Sequence, residues 1–422
     1  MKKATKRILD LLSFIDNSQT AYQATEREAE LLDKAGFTEI LPEELWDLCE
    51  GKSYYTKVDG TALIAFRTGH KPGFNIIGSH NDSPCFRVKD NASVNKEGLS
   101  LLNVEPYGGA IFRTWLDRPL SIAGRVILKG KNEVIRKNFN IDRDLMIIPS
   151  LAIHMDREVN KEGTIKPQKI MLPIYGTAGD KEPSFYKLIS KELNLNEEDI
   201  LGTDAFLYTR EKGTIFGENE EFFSVGRIDN LAMAHASLVS LIESEAGEKT
   251  NIVAITNNEE VGSQTLSGAD SFLIRDALER ISLALGFERA DFLLALKRSF
   301  VISADGAHAV HPAHPDVCDP TNRPNLNEGP VINFSAGKSY STVAETAAKF
   351  SLLAKKASVK IQSFYNHSDR RGGSTIGPMT ESITGIPTVD VGNAMLGMHS
   401  ARETAGVKDH EAIIKIFKEF YK

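Results

Sequence analysis

Cysteine is scarce in this sequence of 422 residues, which has only Cys49, Cys85 and Cys318, far apart from one another. An odd number of widely spaced cysteines argues against a disulfide framework and favours a reducing compartment, so we expect a cytoplasmic protein. Long apolar runs are absent too. The N-terminal segment lacks the unbroken hydrophobic core of a signal peptide, and no run of about 18 apolar residues occurs, so we expect neither export nor a membrane span.

The sequence also lacks an excess of basic charge. It has 50 Lys and Arg against 57 Asp and Glu, a formal net charge of -7, and no cluster of basic residues. Because binding to phosphate backbones depends on clustered Lys and Arg, a general nucleic-acid-binding protein is excluded. What remains is an ordinary globular composition, 41% hydrophobic and 25% charged, in a chain long enough for two or three domains.

Two kinds of sequence pattern alternate along the chain. Residues 1–88 and 223–422 combine helical periodicity with short apolar runs, whereas residues 89–222 consist mainly of short β-like pieces separated by turn residues. The first pattern is typical of an α/β domain, and the second shows no regular alternation of strands with helices. We therefore predict an α/β domain with a mixed, mostly parallel sheet flanked by helices, interrupted by an inserted β-rich domain at residues 89–222.

The most informative stretch is residues 257–263, Asn-Asn-Glu-Glu-Val-Gly-Ser, which follows a short apolar run. The run at 251–256 is typical of a strand buried on both faces, so Glu259 and Glu260 stand where it ends. Two adjacent carboxylates there repel each other unless a metal is near or a proton is shared. The pair suggests one metal-binding carboxylate and one general base. The alternative is a solvated pair on a helix face.

Other predicted strands end in similar residues: His80 after the strand at 74–79, Asp305 after the strand at 300–304, and His399 near the end of the last strand, which begins at 387. Asp229 adds a carboxylate at a loop-to-helix junction. In open, mostly parallel sheets the functional crevice lies beyond the carboxyl ends of the strands. We therefore expect these residues to converge with the glutamate pair on a metal site.

Five motifs between residues 78 and 400 together resemble the M18 family of zinc aminopeptidases, the aspartyl aminopeptidase group, and occur in the family's order. They read Gly-Ser-His-Asn-Asp-Ser-Pro at 78–84, Gly-Arg-Ile-Asp-Asn at 226–230, Asn-Glu-Glu-Val-Gly-Ser at 258–263, Ser-Ala-Asp-Gly-Ala-His-Ala-Val-His-Pro at 303–312 and Met-His-Ser at 398–400. The resemblance implies a metalloaminopeptidase that removes N-terminal residues, acidic ones among them, from peptides.

The resemblance also implies two metal ions per subunit. The first would be held by His80, Asp229 and Asp305, and the second by Asp229, Glu260 and His399, with Asp229 bridging. Imidazole nitrogens and carboxylate oxygens suit Zn²⁺, and the same ligands would accept Co²⁺ or Mn²⁺.

Three further expectations concern residues around the ions. Asp82 would orient His80, which fixes the tautomer of a metal-binding histidine. Glu259 would be the general base that takes a proton from the attacking water and passes it to the leaving amine. In related metallopeptidases the bridging aspartate precedes a cis peptide bond, so we predict that Asp229–Asn230 is cis.

The inserted segment contains His154, within a stretch that resembles the family's segment reaching into a neighbouring subunit's site. There it would contact the substrate carbonyl or the oxyanion. The alternative is a buried structural histidine on a β element. The resemblance further implies that the insertion is a dimerisation domain and that dimers build a tetrahedral dodecamer, which would admit small peptides.

One position departs from the family's pattern. Acid-preferring members have a lysine where this sequence has Asn333, while Tyr340 keeps the family's tyrosine and Gly373 lies in a turn expected to line the site. Recognition of a substrate carboxylate in a buried pocket usually requires a paired cation. We therefore expect reduced selectivity for acidic N-terminal residues unless Lys338 or Arg371 supplies the charge.

Two other functions stay open. One is a related dimetal hydrolase acting on N-acyl or glycosyl substrates, and the other is a catalytically inactive scaffold with the same fold. The complete set of ligands together with Glu259 argues against the scaffold. A separate metal at His308, His311 and His314 is conceivable, although His-rich tracts are often only compositional matches.

Overall fold

The computed structural model describes residues 3–161, 164–178 and 184–422. The chain divides into two compact units, the first comprising residues 1–82, 213–398 and 403–422 and the second comprising 83–212 and 399–402. The insertion was predicted over residues 89–222. The second unit starts earlier because its first strand begins at Cys85, and it ends earlier because the strands after Gly213 pair within the first unit.

The α-helices of the described ranges are α1 Lys3–Asp16, α2 Ala21–Lys34, α3 Pro167–Ile170, α4 Phe185–Leu193, α5 Ile228–Ile242, α6 Leu273–Ala284, α7 Arg289–Lys297, α8 Ala344–Lys356, α9 Gly377–Thr384 and α10 Val407–Phe420. The sequence predicts a helix over 21–34, and α2 has those bounds. Thr20 caps its start by accepting a hydrogen bond from the Tyr22 amide. None of the helices in the described part of the chain combines the length and hydropathy needed to cross a membrane.

The strands are β1 Thr38–Glu39, β2 Ser53–Val58, β3 Ala62–Arg67, β4 Phe74–His80, β5 Cys85–Lys96, β6 Leu99–Tyr107, β7 Leu120–Lys129, β8 Val134–Asn140, β9 Ile174–Thr177, β10 Ile200–Thr209, β11 Thr214–Phe216, β12 Phe222–Val225, β13 Thr250–Thr256, β14 Phe300–Ala304, β15 Ala307–His308, β16 Val331–Phe334, β17 Gln362–Tyr365, β18 Thr388–Gly392, β19 Ala394–Leu396 and β20 Glu403–Gly406. The turn between β2 and β3 has Asp59 and Gly60 at positive φ, as Asp-Gly hairpin turns require.

The first unit is built on a nine-stranded sheet with the order β1-β2-β3-β13-β4-β14-β18-β16-β17. Its central strands β13, β4, β14 and β18 are parallel to their neighbours in that series, and β16 is antiparallel to β18. The predicted class, a mixed and mostly parallel sheet flanked by helices, is confirmed.

Both faces of the central strands are buried because side chains alternate between two cores. One core contains Ile77, Val253 and Ile302 with side chains of α1, α5 and α10. The other contains Ile76, Ile252 and Val301 with side chains of α6 and α7. Burial on both faces leaves the strand ends as the places where these strands can present polar chemistry.

A second sheet of the first unit has the order β11-β12-β20-β19-β15. It corrects one expectation, that His399 follows the last strand of the main sheet. That strand, β18, ends at Gly392, where an added Cβ would lie 1.5 Å from the Asp305 carbonyl oxygen. The chain leaves the main sheet there and forms β19 in the smaller sheet before it reaches His399.

The second unit contains a six-stranded antiparallel sheet with the order β8-β7-β10-β5-β6-β9. Its core is conventionally apolar and includes Phe86 packed edge-on against Trp115. By contrast, the stretch of residues 151–159, which we call the apolar loop, leaves four large apolar side chains exposed, namely Leu151, Ile153, Met155 and Val159. Strands β5 to β10 thus make up most of the regular structure of the second unit.

Candidate metal centre

Three neighbouring parallel strands bring their carboxyl ends together at one edge of the main sheet. His80 is the last residue of β4, Asp305 directly follows β14, and Glu259 lies three residues after β13. Since β4 lies between β13 and β14, these side chains meet at the edge where functional groups of parallel sheets are found.

His80 stands at the centre of a group of carboxylates. Its side chain is buried, and its Nε2 lies 3.5 Å from Asp229 Oδ1, 3.5 Å from Asp305 Oδ1 and 3.9 Å from Glu259 Oε2. We call His80, Asp229, Glu259, Glu260 and Asp305 the strand-end cluster. Glu259 and Glu260 are mostly buried, so the alternative of a solvated pair on a helix face is wrong.

Asp82 connects the histidine to the glutamate pair. Its Oδ1 lies 3.2 Å from His80 Nδ1, on the opposite side of the ring from the other carboxylates. The same carboxylate accepts hydrogen bonds from the backbone amides of Glu259 at 3.1 Å and Glu260 at 3.2 Å. One aspartate thus fixes both the ring of His80 and the turn that carries the two glutamates.

The peptide bond between Asp229 and Asn230 is cis, which confirms the prediction from the sequence. Two contacts within the first unit hold this segment. The Asn230 side-chain amide donates to the carbonyl oxygen of Ala304 at 2.9 Å, directly before Asp305, and the Asp229 backbone amide donates to Glu403 Oε2 at 3.2 Å. Asp229 is therefore anchored to the strand end that carries Asp305.

Burial and mutual repulsion shape the electrostatics of the cluster. Burial raises the pKa of Glu259 to about 8; His80 opposes the shift, and the charges of Asp305 and Asp229 add to it. Burial likewise raises the pKa of Glu260 well above its usual value and raises that of Asp305. Burial opposes charge on His80, but Asp305 and its neighbouring carboxylates raise the pKa of the ring well above its usual range.

These features fit a metal ion. Ligand atoms of His80, Asp229 and Asp305 lie within 4.8 Å of one another, as do those of His80, Glu259 and Glu260. His80 Nε2 is buried and has no hydrogen-bond partner in the described ranges. One imidazole nitrogen and several carboxylate oxygens are the donor set that Zn²⁺ takes in catalytic sites.

His399 belongs to the four-residue segment that groups with the second unit. Its backbone is in the left-handed region with φ at 68°. Within that unit its carbonyl oxygen accepts a hydrogen bond from the Ile111 amide at 2.9 Å, and a Cβ added at Gly109 would lie 3.4 Å from its Nδ1. Its predicted role as a ligand therefore stays a prediction.

The residues predicted to line the substrate site lie in different surroundings. Asn333 on β16 is buried, and neither polar atom of its amide has a hydrogen-bond partner in the part of the chain described. Tyr340 is buried, and burial together with the charges of Asp305 and Asp390 raises its pKa. The Lys338 ammonium lies 3.4 Å from the Ser341 carbonyl oxygen, and Gly373 faces open space.

His154 is exposed in the apolar loop, so the alternative of a buried structural histidine is wrong. The ring centres of His311 and His314 lie 5.1 Å apart with the rings tilted by 40°, and His308 instead contacts the ring of Phe364. Among the described residues, no set of metal-binding side chains includes any of these three histidines.

Sequence reasoning missed two buried acids near the cluster. Asp390 lies inside β18, and its signal is a single charged residue within an otherwise apolar strand. Glu28 lies on the buried face of α2, where Asn81 Nδ2 is 3.3 and 3.4 Å from its two oxygens. Burial raises the pKa of Glu28 to about 8, opposed by the Asn81 amide. Asn81 is the residue between His80 and Asp82.

Comparison with known sequences gives consistent matches over the whole chain. A family model described as "Aminopeptidase I zinc metalloprotease (M18)" matches residues 14–421. The probable M18 family aminopeptidase 2 of Clostridium novyi (strain NT) is 46% identical, and the alignment covers 100% of both chains. The protein of the same name from Ectopseudomonas mendocina (strain ymp) is 36% identical over 98% of this chain and 97% of its own.

Solved structures with the same fold also cover nearly the whole chain. The structure of the Ape4 and Nbr1 complex contains a chain that is 34% identical, with a TM-score of 0.95, covering 99% of this chain and 86% of that one. The S. cerevisiae mApe1 dodecamer contains a chain that is 28% identical, with a TM-score of 0.85, covering 98% of this chain and 95% of that one. Sequence and fold thus agree across both units.

Proposed function

This chain belongs to the M18 family of zinc metalloprotease aminopeptidases and is a metalloaminopeptidase, and from that premise we propose that it removes N-terminal residues from small peptides with two Zn²⁺ ions per subunit and Glu259 as general base. The observation that carries the proposal is the meeting of His80 Nε2 with carboxylate oxygens of Asp229 and Asp305 at 3.5 Å and of Glu259 at 3.9 Å.

Five residues would hold the ions. His80, Asp229 and Asp305 would bind the first, and Asp229, Glu260 and His399 the second; Co²⁺ or Mn²⁺ could take the same places. Bound Zn²⁺ lowers the pKa of water and polarises the scissile carbonyl. Asp82 supports this assignment because its contact with His80 Nδ1 leaves Nε2 directed at the carboxylates.

Glu259 would move the proton. In the proposed reaction it takes a proton from the attacking water and delivers it to the leaving amine, so its carboxylate must be reachable. One observation supports this: its side chain is 14% exposed, the largest fraction among the acids that face His80 Nε2. The Asp82 carboxylate holds its backbone amide at 3.1 Å, which limits movement of the base.

Self-association would complete the site. We propose that His154 of one subunit contacts the substrate carbonyl or the oxyanion in a neighbour's site, and that dimers assemble into a tetrahedral dodecamer in the cytoplasm. The similar S. cerevisiae protein mApe1 is a dodecamer in its solved structure. The four exposed apolar side chains around His154 support a protein contact at this loop, since exposed apolar patches mark interaction surfaces.

The substrate's N-terminal side chain would be read by neutral groups. We propose that acidic residues are accepted without strong preference, because Asn333 offers an amide where acid-preferring members have a lysine. Its Oδ1 and Nδ2 are buried and have no hydrogen-bond partner within the described residues, so the protein itself engages neither atom. Of the two candidate cations, Lys338 and Arg371, Lys338 has its ammonium 3.4 Å from the carbonyl oxygen of Ser341.

A panel of aminoacyl p-nitroanilides tests the function. We expect release of p-nitroaniline from substrates with a free amino group, its loss on treatment with a chelator, and its return with Zn²⁺. Acetylated versions of the same substrates are the matched control. Release of acetate from the acetylated compounds, without release of p-nitroaniline from the free ones, would favour the N-acyl hydrolase, and no cleavage of either set by the metal-loaded protein would contradict the proposal.

The variant Asn333→Lys tests the proposed selectivity. The added cation should raise kcat/KM for the glutamyl substrate relative to the alanyl substrate about tenfold, since a paired charge favours a carboxylate. Asn333→Leu, which removes the amide without adding charge, is the control and should not shift the ratio toward glutamate. An unchanged ratio in a folded Asn333→Lys protein would place acid recognition elsewhere.

A further inference from the structure

Asp390 is a charged residue in the interior of the main sheet. It lies in the middle of β18, between β14 and β16, and its side chain is completely buried. Val389 and Val391 on either side of it belong to the apolar core. Buried carboxylates are retained only where hydrogen bonds compensate for the loss of water. The partners of Asp390 therefore indicate what the residue is for.

The carboxylate joins two segments that are distant in sequence. Its Oδ2 accepts the backbone amide of Ser341 at 2.6 Å, and its Oδ1 accepts the Thr375 hydroxyl at 2.5 Å. Its own backbone amide donates to Thr342 Oγ1 at 2.9 Å. We call residues 335–343 the tyrosine loop and residues 372–377 the glycine turn. A carboxylate suits this junction because both of its oxygens accept.

Close packing around Asp390 leaves little freedom in the glycine turn. A Cβ added at Gly377 would lie 2.2 Å from Asp390 Oδ1, so the end of this turn lies directly against the carboxylate and only glycine fits there. Ser341, Thr342 and Thr375 are all buried. The junction is thus a packed, hydrogen-bonded contact within the first unit.

Both joined segments carry residues that the family resemblance predicts to line the substrate site. Tyr340 precedes Ser341 directly, and Gly373 lies two residues before Thr375. β18 also reaches the metal ligands, because the Asp305 amide donates to the Val391 carbonyl oxygen at 2.9 Å. Asp390 is therefore the neighbour of Val391, which pairs with Asp305. Its hydrogen bonds hold the two segments that contain Tyr340 and Gly373.

We propose that Asp390 is a positioning residue that fixes the tyrosine loop against the glycine turn, so that Tyr340 and Gly373 meet the substrate in one arrangement. The inference rests on the proposed function and on the predicted contact of these two residues with the substrate. Asp390 acts through its neighbours and does not touch the reacting atoms. Loosening the junction should therefore weaken substrate binding more than it slows turnover.

Two variants remove the same contact from opposite sides. Asp390→Asn replaces one accepting oxygen by a donor, and Thr375→Val removes the hydroxyl while leaving the carboxylate intact. We expect KM to rise about tenfold in each, as for loss of a hydrogen bond to a charged group, with kcat within about twofold and zinc content unchanged. Thr375→Ser should restore the wild-type KM.

The matched control is Thr380→Val on α9. Thr380 is also a buried threonine, but its hydroxyl has no hydrogen-bond partner among the described residues, so KM should not change. Hydrogen exchange gives a readout without turnover: backbone amides of residues 336–342 and 372–377 should exchange faster in Asp390→Asn and Thr375→Val, while those of α5 should not.

Equal KM and equal exchange in Thr375→Val and Thr380→Val would overturn the proposal. So would Asp390→Asn protein that exchanges like wild type in both segments. A wild-type protein that cleaves no aminoacyl substrate would refute the proposed function alone, because the exchange experiment tests the junction independently of catalysis.

Discussion

The strand-end cluster in the first unit and the apolar loop in the second depart from ordinary burial in opposite directions. The cluster places four carboxylates around one histidine where little water reaches them, and burial raises the pKa of Glu259, Glu260 and Asp305. The apolar loop places four large apolar side chains in solvent, Met155 at 75% exposure. A folded chain usually avoids both arrangements.

Each departure indicates a particular kind of missing partner. Crowded buried carboxylates are stabilised by a cation, whereas exposed apolar side chains are stabilised by another apolar surface. The two regions thus point to different completions of the same enzyme, one by metal and one by a neighbouring subunit. Variants in each region can show whether the enzyme needs the metal, the neighbouring subunit or both.

The largest effect is expected at the cluster. Glu259→Gln keeps the size of the side chain but cannot accept the proton from water, so kcat should fall about a thousandfold, within the range for loss of a general base. Zinc content should stay at the wild-type value because Glu259 is not a proposed ligand. Steady-state kinetics on the best aminoacyl p-nitroanilide and metal analysis of the same sample measure both.

The control for this variant is Glu345→Gln, an exposed glutamate in the first turn of α8. It should turn over like wild type. A purified, zinc-loaded Glu259→Gln protein with the wild-type rate would contradict the assignment of the base.

The sequence could predict the framework of the cluster because its signals are local. β13, β4 and β14 are short apolar runs, and each run ends where the polar residue begins, so Glu259, His80 and Asp305 could be placed at strand ends. The hairpin of β2 and β3 could likewise be predicted, because its signal, Asp-Gly at 59–60 between two strand-like runs, is local.

The features that could not be predicted from the sequence depend on contacts between distant residues. Asp390 is held by Ser341 and Thr375, 49 and 15 residues away, and neither spacing leaves a pattern. The helix α9 was missed because it begins with Gly377 and Pro378, residues of low helix propensity. The strand β19 was missed because the close approach of Gly392 to Asp305 diverts the chain, which is a tertiary effect.

An intermediate effect is expected at the apolar loop. His154→Ala should lower kcat about a hundredfold if the histidine stabilises the oxyanion, with zinc content and unfolding temperature unchanged because the side chain is exposed. If His154 acts in a neighbour's site, mixing His154→Ala with Glu259→Gln under conditions that exchange subunits should restore part of the activity. Each inactive protein would then supply the group that the other lacks.

His314→Ala is the matched control, an exposed histidine of the first unit that should retain full activity. Mixed samples that stay inactive although subunit exchange is verified by native mass spectrometry would contradict a role across the interface. Undiminished turnover of His154→Ala alone would remove the histidine from the mechanism.

The smallest effect concerns Glu28, a buried acid that is not a member of the strand-end cluster. Because no charge of another acid contributes to the shift of its pKa, Glu28 separates the effect of burial from that of crowding. Burial raises its pKa to about 8 from an ordinary value of 4.5. The folded protein thus holds this proton over a range in which the unfolded chain has released it, so stability falls as pH rises from about 4.5 to about 8. Glu28→Gln has no such proton. In metal-free protein, its free energy of unfolding should exceed that of wild type by a margin that grows through this range to a few kcal/mol and then levels off.

Shifts in the pKa of Glu259, Glu260 and Asp305 are common to both proteins and cancel in the difference. Urea denaturation at several pH values measures the margin, with Glu26→Gln on the exposed face of α2 as a control that should show no such trend. A margin that does not change with pH would mean that Glu28 is ionised in the folded protein. Burial alone would then not raise the pKa of a carboxyl group here, and the raised pKa values in the strand-end cluster would be due to the crowding of its carboxylates.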